Sequence, residues 1–225
     1  MQMNKLNQGF LQKIGRPILI ASLCCASVVS LQGCVGLVVG GAVAGTFAAT
    51  DRRTLGAQTE DKSIALKGES RLSHAFGEAA HINVNTYNRR ALLTGQVADQ
   101  KTKDAAEREI RAIEGVQAVS NEIQIAPLAS FSERSNDILL TTKVRTSFID
   151  NKELYGSAFK IVSEQGTVYL MGLVTQREGN LAGQIASGVT GVHKVVKVFD
   201  YISEEELKRI LATSSTDAAK DSNSK

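Results

Sequence analysis

Leu92-Leu93-Thr94-Gly95-Gln96-Val97 and Tyr169-Leu170-Met171-Gly172-Leu173-Val174 are two mainly apolar runs, each with glycine in fourth place and valine in sixth, 77 residues apart. Their surroundings repeat with them. Gly115-Val116-Gln117-Ala118-Val119 recurs as Gly191-Val192-His193-Lys194-Val195, and Asp61-Lys62-Ser63-Ile64 recurs in type as Asp137-Ile138-Leu139-Leu140, both at an offset of 76. Three matches at one period make two copies of a small unit a better description than one large domain.

Working outward from the apolar run, one order of elements reads in both copies. Leu140, Val144 and Phe148, or Ile64 and Leu72 around Gly68, are spaced at i, i+4 and i+8, which is one face of a helix. Asp61 and Asp137 stand ahead of these apolar faces and are read as N-caps. A strand pair follows, 82–86 with 91–97 and 160–163 with 168–174, with turn residues Asn88 and Gln165-Gly166 between partners. A second helix, 101–114 or 178–190, stops at Gly115 or Gly191, since glycine tolerates φ > 0. Val119, Asn121, Ile123 and Ile125, and Val195, Lys197, Phe199 and Tyr201, then share one side of a last strand. The order α-β-β-α-β predicts an α+β fold, a three-stranded sheet packed under two helices, twice. A linker of about ten residues around Pro127 predicts that the two units pack together.

The N-terminal segment has a different character. Lys5, Lys13 and Arg16 are the only ionisable side chains before Cys34; residues 18–31 are apolar or small, and Leu31-Gln32-Gly33-Cys34 follows. This is the layout of an export signal, with an apolar run short of the ~20 residues that a membrane span takes. Without those three cations the chain has 23 basic against 23 acidic residues, so no basic face for nucleic acid is expected. Cys24 and Cys25 fall within the apolar run, which leaves Cys34 without a disulfide partner. Residues 35–49 are apolar and Gly-rich and read as a tether. At the other end, Ser203-Glu204-Glu205-Glu206 predicts a capped short helix, and the composition of 213–225 predicts disorder.

Two resemblances follow from these residues. Leu31-Gln32-Gly33-Cys34 resembles the lipobox of bacterial lipoproteins, which implies removal of residues 1–33 and acylation of Cys34. Val35, in place of an aspartate that retains lipoproteins at the inner membrane, implies the outer membrane, facing the periplasm. The leading Asp helix, the apolar-Gly-x-Val strand end and the Gly-Val-x-x-Val entering a last strand resemble the BON domain (bacterial OsmY and nodulation). The implied division is a signal at 1–33, a lipidated tether at 34–60, BON domains at 61–126 and 135–202 joined by a linker at 127–134, and a short helix with a tail at 203–225. Residues 142–146 and 172–178 are similar to dual-BON outer-membrane lipoproteins of the division and envelope-stress type. That resemblance implies a preference for anionic phospholipid and a link to cell division; it departs at Leu139, where an aromatic residue stands in that type.

Catalytic constellations are thin. His74, His81 and His193 have no metal-ligand spacing, and no nucleophile lies in a recognisable elbow. The glycines at 36–45 lack a following Lys-Ser/Thr, so no phosphate loop is read there. No enzyme activity, cofactor, metal or small-molecule substrate is expected. The asymmetry between the copies is more informative. Leu140, Val144 and Phe148 already supply a core face, so Ile138 and Leu139 fall on the flank or outside of their helix, whereas their counterparts are Lys62 and Ser63. With Lys143, Arg145 and Lys152 nearby, this is a greasy spot ringed by cations, as on a surface that meets anionic headgroups. Phe199 and Tyr201 extend the patch unless one joins the core. The competing readings are that Ile138 and Leu139 pack against the first domain, or that the patch binds an envelope-assembly protein or a regulator of cell-wall hydrolases. Glycan binding ranks last in a chain with no Trp and four Tyr.

Overall fold

The computed structural model describes residues 51–222, with side chains through Thr213; the signal, Cys34 and residues 35–49 lie outside the described residues. Helix α1 (Leu55–Phe76) opens where the Thr54 hydroxyl accepts the Ala57 amide, and helix α3 (Phe131–Asp150) opens on a complete capping box of Ser130 and Glu133. Thr54 and Ser130 are themselves 76 residues apart, so the helix starts belong to the repeat. Both helices begin before the aspartates, and the reading of Asp61 and Asp137 as N-caps is corrected. Buried inside their helices, the two carboxylates accept backbone amides of a hairpin turn: Asn88 and Arg89 donate to Asp61, Gln165 and Gly166 to Asp137. All four turn residues have positive φ, and a turn whose consecutive amides converge is an anion-binding concavity.

In the first copy β1 (His81–Tyr87) pairs antiparallel with β2 (Arg90–Val97); after α2 (Gln100–Arg111), β3 (Ala118–Asn121) and β4 (Gln124–Ile125) run parallel to β2. In the second, β5 (Phe159–Glu164) pairs antiparallel with β6 (Thr167–Val174), and β7 (Lys194–Tyr201) follows α4 (Gln176–Ser187) to run parallel to β6. The glycine of the apolar run now has a reason. A Cβ at Gly95 would collide with the carbonyl oxygen of His81, and one at Gly172 with that of Ala158, so the central strand lets the head of its antiparallel partner come close. The last strand is continuous only in the second copy. Asn121 turns toward α2, its amide donating to Lys103 O and a Glu107 carboxylate oxygen and its Oδ1 taking the Ile123 amide. The ladder breaks there, and Ile125 ends exposed.

Each sheet covers its helices with one face: Ala91, Leu93 and Val97 join Ile64, Leu72 and Ile110, while Val168, Leu170 and Val174 join Leu140, Val144 and Phe148. The other faces meet each other through Tyr87, Leu92, Tyr169, Met171 and Val198. The body is therefore four layers, helices, sheet, sheet, helices, as the short linker predicts. Polar bonds register the two sheets: Arg90 pairs with Asp200 at 2.8 Å, and Glu164 accepts from Gln96 and Asn83 at 2.7 and 3.1 Å. Beyond β7, α5 (Glu204–Ser222) starts where Ser203 Oγ accepts the Glu206 amide. It runs through much of the stretch whose composition predicts disorder. Three glutamates in its first turn favour the positive end of the helix dipole, and Leu207 is buried.

Candidate functional site

The body turns two helical layers outward, and α3 has an outer surface of unusual character. Its inner face is filled by Leu140, Val144 and Phe148. On the outside, Phe131 is 80% exposed, Ile138 and Ile149 69% each, and Leu139 59%. At 3.6 residues per turn, Phe131, Ile138 and Ile149 fall within about 20° of one line along the helix, with Leu139 roughly 100° further round. The hydroxyls between them do little to make this face polar: Thr142 donates to Ile138 O, Thr146 to Thr142 O and Ser135 to Phe131 O. Each proton is spent on a helix carbonyl, which leaves the threonine methyls and spare oxygen lone pairs at the surface.

The predicted site residues divide. Ile138 and Leu139 are exposed, not sealed between the domains. Lys143 and Arg145 are exposed too, and the helical spacing puts Arg145 near the Ile138 line and Lys143 beyond Leu139. Lys143, Thr142 and Thr146 also edge an open groove of about 650 Å³ whose other wall, on α4, includes Ile185 and Val189. Phe199 is a correction: only 8% exposed, it lies in a chain of edge-to-face rings running Phe148, Phe159, Phe199, Tyr201, because its side of β7 is the side that α4 covers. Tyr201 is exposed but stands against Gly179 of α4 at the edge strand β7, whereas α3 packs on β5 at the opposite edge. Neither ring joins the α3 surface.

Phe131 and Ile149 escaped the sequence reading, as did Tyr155, exposed just past the end of α3. The first two were in reach: the Ser130-x-x-Glu133 box marks the helix start, and spacings of 7 and 11 residues tie Phe131 and Ile149 to Ile138. The predicted tether at 34–60 is also shortened, since Leu55–Glu60 are helical and Arg52 and Arg53 are held by the body. Among the described residues there is no group of three metal-ligating side chains, and no helix is long and apolar enough to cross a membrane.

Comparison with known proteins agrees with the repeat. The BON domain model matches residues 60–127 and again 136–203. The chain is 37% identical over 188 residues to the outer membrane lipoprotein DolP of Haemophilus influenzae, covering 83% of this chain and 97% of that protein. It is 30% identical to the 21 kDa hemolysin of Actinobacillus pleuropneumoniae, over 68% of this chain and 79% of the other. It is 26% identical to the osmotically-inducible protein Y of Escherichia coli, over 60% and 70%. Two matches of the domain model, falling on the two structural repeats, show that this chain belongs to the BON-domain family.

Proposed function

We propose that this protein is a non-enzymatic outer-membrane lipoprotein, anchored through acylated Cys34 and facing the periplasm, which rests its second BON domain on anionic phospholipid through the outer face of α3. Its role is to support envelope integrity, including at the division site. The observation that carries the reading is the line of exposed Phe131, Ile138 and Ile149, with Leu139 beside it, on a helix whose core face is already satisfied. The name of the Haemophilus relative supports the location and the anchor.

Magnitudes support a surface that works only when anchored. Full burial of one such side chain is worth ~1.5–3 kcal/mol, and a few partly inserted side chains give weak binding alone. Attachment by a short tether raises the local concentration to the millimolar range, at which a weak surface is well occupied. Flotation of a chain lacking residues 1–34 with liposomes tests this: binding rises with the fraction of phosphatidylglycerol and falls for Leu139→Glu. Unchanged flotation of Leu139→Glu, together with loss of a co-purifying envelope protein, would instead make the surface a protein-binding one. The anchor has its own measurement. Cys34→Ala gives an unprocessed chain that takes up no radiolabelled palmitate, and continued labelling refutes acylation at this residue.

A further inference from the structure

Asp51-Arg52-Arg53, the segment that joins the predicted tether to α1, holds both domains at once. Arg52 reaches the second. Its Nη1 and Nη2 donate to the two carboxylate oxygens of Glu178 at 2.9 and 2.6 Å, and Nη1 also donates to Leu173 O at 2.9 Å. These two side chains are only 3% and 5% exposed. Glu178 is itself held, since it closes the capping box of α4 by accepting the Thr175 amide. Arg53 turns into the first domain instead: it donates to Asp61 at 2.7 Å and to Asp51 at 2.6 Å, and its guanidinium lies 4.0 Å from the centre of the Tyr87 ring. Neighbouring arginines are thus inserted in different domains.

A buried ion pair is a poor device for stability alone, because desolvation consumes much of the attraction; its best-attested use is to select one register. The register selected here is that of the tether root. Leu173 is at the end of β6, Gly172 pairs with Phe159 at the start of β5, and Gly156, just upstream, lies against the Ile149 side chain. The clamp, Tyr155 and the last turn of α3 therefore share one end of the second domain. Upstream of the clamp, residues 34–50 remain, and a flexible chain of that length has a root-mean-square reach of roughly 23 Å. Helix α3, with 20 residues, is ~30 Å long. The reach is shorter than the helix, so the end at which the tether is rooted decides which end of α3 meets the bilayer first.

We propose that Asp51-Arg52-Arg53 is a tether clamp that orients the anchored protein, bringing the Ile149 end of α3 nearer to the bilayer than the Phe131 end. The proposal rests on the lipid-anchor reading above and is tested separately from lipid contact by α3. The full-length lipidated protein is placed in phosphatidylethanolamine–phosphatidylglycerol vesicles carrying an acceptor dye on the lipid. A donor dye sits on a single introduced cysteine, Lys152→Cys or Ser132→Cys, both exposed and at opposite ends of α3. Energy transfer from position 152 exceeds that from 132, and the difference falls at least twofold in Arg52→Ala and in Glu178→Gln. Circular dichroism checks folding; should Arg52→Ala not fold, Arg52→Lys, which keeps the charge but loses the fork, shows the smaller difference. Equal transfer from the two positions, or a difference that persists in the folded variants, overturns the clamp. If α3 does not touch lipid, Ile149→Glu leaves the transfer order intact, so that failure is separable from failure of the clamp.

Discussion

At the scale of the residue, single buried carboxylates organise this molecule more than composition suggests. Asp61 and Asp137 are legible in the sequence as a repeated feature, but their role is not: a cap and a turn-holder are the same residue type near a helix start, and only the fold brings the hairpin amides within reach. Glu178 is a further case, hidden because its partner is 126 residues away. Burial alone would raise its pKa, but hydrogen bonds from Arg52 and the Thr175 amide and the Arg52 charge outweigh burial and hold it below the usual carboxylate range. A lowered folded-state pKa contributes stability that is complete above the ordinary Glu value of ~4.3 and is lost as pH falls through the lowered value. Wild type should therefore unfold at higher urea than Glu178→Gln at neutral pH, and the gap should close at about pH 2, where both pKa values lie above the solution pH. A gap that persists in acid would show that the carboxylate charge is not what Arg52 recognises.

At the scale of the element, α3 and α1 are the same helix with different outsides. Leu55 is the counterpart of Phe131, and both are exposed. Further along, Lys62, Ser63 and Ser73 occupy the places of Ile138, Leu139 and Ile149, so only α3 carries the apolar line through its middle and end. The asymmetry at 138–139 was readable because the inward positions were already assigned. Phe199 was misread because strand alternation says which residues share a side, not whether a helix lies over it. The cations beside α3 give a test. A basic side chain near an anionic membrane is worth ~1 kcal/mol, with a screening length of about 8–10 Å at moderate salt. Lys143→Gln with Arg145→Gln should weaken vesicle binding by roughly tenfold at low salt, by much less at high salt, and leave the melting temperature unchanged because both side chains are exposed. Salt-independent loss would point to a packing role instead.

At the scale of the whole molecule, the decisive fact is that both sheets are covered twice. Tyr87 and Tyr169 lie in the layer between them. Burial, with the charge of Asp51 for Tyr87 and of Glu122 for Tyr169 adding to it, pushes each phenol up to about 12. The neutral phenols thus stabilise the fold fully below the ordinary tyrosine value of ~10, and that contribution is lost as pH rises toward 12. Thermal melts should show wild type losing more stability between pH 9 and 11 than the Tyr87→Phe/Tyr169→Phe double variant; equal losses would place both rings in a looser interface. The repeat period, the element order and the near-continuous apolar character of β2 and β6 were all determined by the sequence, because each reflects a local rule: helical spacing, strand pairing, and burial on both faces. What only the tertiary structure decided is which distant charges meet, which helix face stays uncovered, and where the tether is rooted. Those depend on contacts between residues up to 126 positions apart, and no local spacing encodes them.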